Sequence, residues 1–160
     1  LSLHDALPIS TPPDEWPRHH GHEARSAQLV AAVCQRLRAP ADCRDLALLA
    51  ARYHGDIHRS AELRPATIVK LLESTDALRR PQRFEQLLAA CACDFNGRLG
   101  WEDRPYASTA LLLQALEAVR GVDAAMIVRG CADATQIPQR LFEARVAAVR
   151  RALPALRSTD

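Results

Sequence analysis

Apolar residues return every three or four positions along most of this chain, and proline or glycine interrupts the pattern wherever a helix must end. In residues 23–38, Ala27, Val30, Ala31, Cys34 and Leu37 form one helical stripe. Pro40 opens a second helix in which Leu46, Leu49, Ala50 and Tyr53 repeat the stripe. Gly55 is its expected left-handed stop, which places His54 at a helix C-terminus. Pro65 stands at a first helical position before Ile68, Leu71 and Leu72, and Pro81 does the same before Phe84, Leu87, Leu88 and Cys91. Gly97 and Gly100 close that segment. Ser108 is expected to cap a helix carrying Leu112, Leu116 and Val119, ended by Gly121. Asp123 caps a short helix stopped by Gly130. Pro138 starts the last, with Phe142, Val146, Val149 and Leu153 on one face. An all-α fold with no sheet is expected.

Composition agrees with that expectation. Only 4% of residues are aromatic and the apolar content is dominated by Ala and Leu, which favours interleaved helices over strands. A chain of 160 residues, 48% hydrophobic, suffices for one compact domain or a small domain with a helical extension. The stretch 96–105, with two glycines, a proline and mixed charge, is the expected loop between a front bundle and a rear one. The net charge of +2 is too small to imply nucleic-acid binding by bulk charge, so any RNA contact must be local. Lys70 is the only lysine. The remaining basic side chains are arginines, suited to bidentate phosphate contacts, although a biased genomic base composition gives the same pattern. Cys34, Cys43, Cys91, Cys93 and Cys131 show no C-x-x-C spacing and read as small core residues. No stretch approaches the roughly 18 apolar residues of a membrane span, and no signal-peptide pattern occurs, so a cytoplasmic protein without membrane partners is expected.

The chemical signal is the clustering of imidazoles. None of the six histidines falls after His58. His19, His20, His22 and Glu23 occupy a Pro/Gly-bounded entry to a helix, while His54 and His58 flank Gly55. Neutral imidazole and carboxylate are suitable metal ligands, yet the spacing is not specific to one. Asp94 lies in the last turn of its helix, where the dipole disfavours a carboxylate, so a metal or an arginine beside it is expected. On spacing alone, a solvated cluster at helix ends accounts for His22, His54 and Asp94 more simply than a ligand set does.

Three separated strings carry a resemblance. TPPDEWPRHHGHEA (11–24), RPATIVKLLESTDALRRPQRFEQLL (64–88) and CDFNGRLGWED (93–103) resemble, in order and spacing, the multifunctional CCA tRNA nucleotidyltransferases of bacteria, over about residues 11–151. The resemblance implies an HD-domain helical bundle over residues 10–100, truncated at its N-terminus, followed by a smaller helical tail over 101–160. It implies a parent protein that adds CCA to tRNA and carries a metal-dependent phosphohydrolase module acting on 2′,3′-cyclic phosphates, 2′-nucleotides and related phosphoesters. Carried over by position, the implied metal ligands are His22, His54 and Asp94, with a divalent cofactor of the magnesium or nickel class. His22 and His54 are the implied catalytic residues, and Arg18 and Arg98 the cations placed near phosphate. His19, His20 and His58 are expected to be exposed or to support the ligands from outside, and Trp16 and Trp101 to be core anchors.

The sequence departs from the family pattern at its start. LSLHDALPI (1–9) coincides with one reading frame of a common sequencing adapter, so natural sequence is expected from about Ser10. His4 and Asp5 nevertheless stand at the spacing of the family's His-Asp dyad and complete the implied ligand set. The Gly-Lys-Gly-like segment after that dyad is replaced by Ala6, Leu7, Pro8 and Ile9, and the upstream histidine and the nucleotidyltransferase head have no counterpart here. The chain by itself is therefore expected to hydrolyse phosphoesters poorly. The alternative is a non-catalytic tRNA-binding body and tail with a degraded metal site, using Arg36, Arg38 and Arg44 or Arg79, Arg80 and Arg83 on phosphates. A purely structural bundle is third.

Overall fold

A computed structural model describes residues 22–153. Within them the chain forms seven α-helices and two 3₁₀ turns, with no strand among the described residues: α1 (His22–Arg36), α2 (Ala41–His58), a turn at Ser60–Glu62, α3 (Pro65–Ser74), α4 (Pro81–Asn96), α5 (Ala107–Arg120), α6 (Ala124–Arg129), a turn at Ala134–Gln136, and α7 (Ile137–Ala152). The all-α expectation holds. Pro65 and Pro81 are the first residues of α3 and α4, and Pro138 lies in the first turn of α7, where a missing N–H costs nothing. Asp123 caps α6 by accepting from the Met126 N–H at 2.9 Å.

Three local expectations are corrected. Gly55 does not stop α2, which runs on to His58. A Cβ there would sit 3.3 Å from Glu23 Oε1, so a larger residue would have to shift that side chain slightly. Ser108 is not a cap but a buried residue in the first turn of α5. The cysteines are not uniformly core: Cys91 is buried, Cys34 and Cys131 are half-buried, and Cys43 and Cys93 are exposed.

Two helices end in left-handed residues that are not glycine. Arg38 (φ 49°) follows α1, with Ala39 N–H donating to Cys34 O at 2.9 Å and Arg38 N–H to Gln35 O at 3.2 Å. Asp76 (φ 56°) follows α3, with Ala77 N–H donating to Leu72 O and Asp76 N–H to Glu73 O. Both are Schellman closures. Around Asp76 the closure is reinforced: Arg83 donates to Thr75 O at 3.2 Å, and Arg80 and Arg83 each approach the Asp76 carboxylate at 3.6 Å.

The chain divides into two compact units, interleaved along the sequence. The first comprises Leu1–His58 and Glu85–Tyr106. In it α1 packs along α2, and Ala27, Ala51, His54, Ile57, Leu87, Leu88 and Cys91 are buried. Leu37, at the end of the α1 stripe, is 68% exposed and contributes nothing to that core. The second comprises Arg59–Phe84 and Ala107–Asp160, where α3, α5 and α7 pack on one another and α6 on α7. Its buried side chains include Ile68, Val69, Leu72, Phe84, Leu112, Leu116, Val119 and Val149. Gln114 Nε2 donates to Ala152 O at 3.0 Å, and Arg145 pairs with Glu73 at 2.6 Å.

Candidate functional site

The site lies in the first unit, where the last turn of α2 and the last turn of α4 carry polar side chains that cannot be buried without partners. Because α2 continues through Gly55, His54 and His58 are one helical turn apart on one face. Their rings stand edge to face with centroids 6.0 Å apart. His54 is 3% exposed, and its Nδ1 lies 3.0 Å from Ala50 O. A carbonyl only accepts, so Nδ1 carries the proton and, in the neutral ring, the lone pair is on Nε2.

His58 has the opposite arrangement. Its Nε2 lies 3.0 Å from Asp94 Oδ2 and its Nδ1 lies 2.8 Å from the Tyr106 hydroxyl. The Asp94 side chain is 6% exposed and that of His58 13%. Burial holds the His58 imidazole below its ordinary pKa, outweighing the hydrogen bond and charge of Asp94, and His54 and Arg98 push in the same downward direction. The same surroundings act on Cys91, whose thiol is pushed up to about 12, by burial first and the Asp94 charge second. Asp94 also has the cation expected beside a carboxylate in a last helical turn: Arg98 Nη2 lies 3.8 Å from Oδ2.

An aromatic floor fixes these groups. Phe95 contacts Trp101 and Tyr106 at centroid distances of 4.8 and 4.9 Å, and the Arg98 guanidinium lies over Trp101 at 5.2 Å and Phe95 at 5.9 Å. Arg104 covers Trp101 at 4.6 Å. Asn96 also ties the loop that carries Trp101 and Tyr106 to α4: its Nδ2 lies 2.9–3.0 Å from the carbonyls of Trp101, Glu102 and Arg104.

Known proteins match the chain over nearly its whole length. It is 59% identical over 150 residues to the multifunctional CCA protein of Dechloromonas aromatica, 58% over 148 to that of Aromatoleum aromaticum and 50% over 161 to that of Nitrosospira multiformis. These alignments cover 94%, 92% and 96% of the chain. The chain belongs to the multifunctional CCA protein family. It spans 36–39% of the length of these relatives. No family model matches it, and no solved structure matches it either.

Of the residues implied by the CCA protein resemblance, the structure brings together His54, Asp94 and Arg98, linked through His58. His4, Asp5 and Arg18 lie outside the described residues, as do His19, His20 and Trp16. His22 begins α1, and its side chain likewise lies outside the description. Trp101 is half-buried and packed as an anchor. His58 is not exposed but contacts Asp94, the second of the two arrangements expected for it. Tyr106 had no signal in the sequence, since only the fold of the loop brings it to His58.

The divalent metal implied by the CCA protein family can be tested against these donors by type. His54 fits, because its Nδ1–H is fixed on a carbonyl and Nε2 is the lone-pair nitrogen, the arrangement of a metal-ligating imidazole. Asp94 fits as a buried carboxylate. No group of three His, Cys, Asp or Glu side chains close enough to hold an ion occurs among the described residues, so a full set requires donors from beyond them. No helix among the described residues is long and apolar enough to cross a membrane.

Proposed function

We propose that the chain is the HD phosphohydrolase module of a CCA-adding tRNA nucleotidyltransferase, acting on 2′,3′-cyclic phosphates and related phosphoesters, with tRNA as the parent protein's substrate. The observation that carries this reading is a chain of enclosed polar groups: His54, 3% exposed, stands one helical turn from His58, which meets the 6% exposed Asp94 carboxylate at 3.0 Å. Enclosing such groups is costly, which is common at functional sites. His54 and Asp94 would hold a divalent ion together with His22 and a His-Asp dyad at the position of His4 and Asp5. When bound, the ion lowers the pKa of water towards neutrality and offsets charge on phosphoryl oxygens. The chain's own residues do the rest: the Ala50 carbonyl orients His54, Arg98 supplies positive charge beside Asp94, and the Phe95 and Trp101 rings hold the Arg98 guanidinium.

The test is hydrolysis of a 2′,3′-cyclic nucleotide with added magnesium, manganese or nickel. The chain as it stands should act near background. A version in which residues 1–9 are replaced by a helix bearing a further histidine and a supported dyad should act clearly, and His54→Ala should abolish that activity. A repaired protein with no metal-dependent hydrolysis would overturn the reading.

A second reading, tRNA binding without chemistry, has one observation in its favour. At the junction of α1 and α2, Arg38 and Arg44 line an open cavity of about 430 Å³ with Gln35 and Cys34, where their charge suits a phosphate. Salt-dependent tRNA binding that falls on Arg38→Ala and Arg44→Ala, with no hydrolysis by the repaired protein, is its signature.

A further inference from the structure

We propose that His58 is the positioning residue of the site: it donates Nε2–H to Asp94 and accepts the Tyr106 hydroxyl at Nδ1, so that the carboxylate is held in one orientation. The inference deepens the hydrolase reading and rests on it for its functional consequence, while its chemistry stands on the geometry alone.

Three observations converge. A carboxylate ion cannot donate, so the 3.0 Å contact between Nε2 and Asp94 Oδ2 places a proton on Nε2. With that proton in place, the neutral ring has its lone pair on Nδ1, which faces the Tyr106 hydroxyl at 2.8 Å. The ring is only 13% exposed, so little solvent competes with these two contacts. His54 and His58 are thus opposite tautomers one turn apart, one presenting an acceptor at Nε2 and the other a donor. The difference separates their work, since the nitrogen of His58 that faces the site is already a donor and cannot also be a ligand or a base.

Tyr106 completes the arrangement. It packs on Phe95 at 4.9 Å and edge-on to His58 at 5.6 Å, and it lies at the end of the loop that Asn96 ties to α4. The orientation of Asp94 is therefore set by a chain of contacts running from the loop through Tyr106 and His58. Residues that orient a ligand in this way typically change metal affinity about 10–100-fold when lost.

Two arms test the proposal on the chain as it stands. In long-range ¹H–¹⁵N correlation spectra, His58 should show a protonated Nε2 and His54 a protonated Nδ1, and Tyr106→Phe should shift the His58 Nδ1 resonance. A His58 ring protonated on Nδ1 alone would overturn the assignment. The second arm measures Mn²⁺ affinity by electron paramagnetic resonance. Glutamine can reproduce one donor and one acceptor, so His58→Gln should stay within about threefold of the parent, whereas His58→Leu should weaken binding about 10–100-fold. Circular dichroism melts confirm that each variant is folded. Equal affinity in the Gln and Leu variants, whether both retained or both lost, would overturn positioning. Absence of Mn²⁺ binding in the parent chain and in its repaired form would count against the hydrolase reading, and the tautomers would then decide the inference by themselves.

Discussion

Among the described residues of the unit formed by 59–84 and 107–160, the largest fully buried side chains are Phe84, Ile68, Leu72, Leu112 and Leu116, and the buried polar residues are Ser60, Thr75 and Ser108. The other unit buries an imidazole at His54 and encloses a histidine–carboxylate pair at His58 and Asp94. Apolar burial is non-directional and contributes in proportion to area. An enclosed ionisable pair repays its desolvation only through hydrogen bonds of correct geometry, so it adds little net stability while fixing orientation. The first kind of core holds a fold together; the second holds particular atoms in place. Enclosing titratable groups is the cost of having a site at all.

The comparison is broken most directly by truncating one large apolar side chain. Leu112→Ala, at a position with no exposure, should cost about 2–5 kcal/mol in urea or thermal unfolding, through lost transfer energy and the cavity left behind. A cost below about 1 kcal/mol would mean that the apolar core is not what holds that unit.

The polar counterpart is smaller and sharper. Asn96→Ala removes the donor that approaches three carbonyls, and should cost about 1 kcal/mol because solvent can replace part of the lost bonding. Its larger effect should fall on backbone amide exchange in the loop at 97–106, with protection around α5 and α7 unchanged. Equal loss of protection in both units would erase the distinction drawn between them.

The smallest effect concerns the two left-handed helix ends. Arg38 has a left-handed backbone with no side-chain ion pair or hydrogen bond among the described residues, whereas Asp76 is held by Arg80 and Arg83. Arg38→Gly should therefore raise stability by about 0.5–1 kcal/mol, and Asp76→Gly should give no such gain. A stabilised Asp76→Gly protein would show that the arginine contacts contribute nothing.

The helices and most of their ends were legible in the residue order. Stripes such as Ile68, Leu71 and Leu72 reflect a local periodicity, and Pro65, Pro81 and Asp123 act on backbone groups within a turn of themselves. Gly55 was misread because glycine at a helix end and glycine under a neighbouring helix look alike in sequence; only the approach of Glu23 tells them apart. Leu37 was misread because a stripe shows which face is apolar but not where the neighbouring helix ends.

What the sequence by itself determined is the helical content and the placement of Asp94 in a last turn that calls for a cation; His54 became a candidate only through the resemblance. The first two depend on contacts within about four residues, which spacing encodes. Tertiary structure alone decided that the units interleave along the chain, that His58 rather than solvent meets Asp94, and that Tyr106 closes the set. The separations there are 36 and 48 residues, and a chain returning over such distances is guided by the packing of many side chains at once, which no local pattern records.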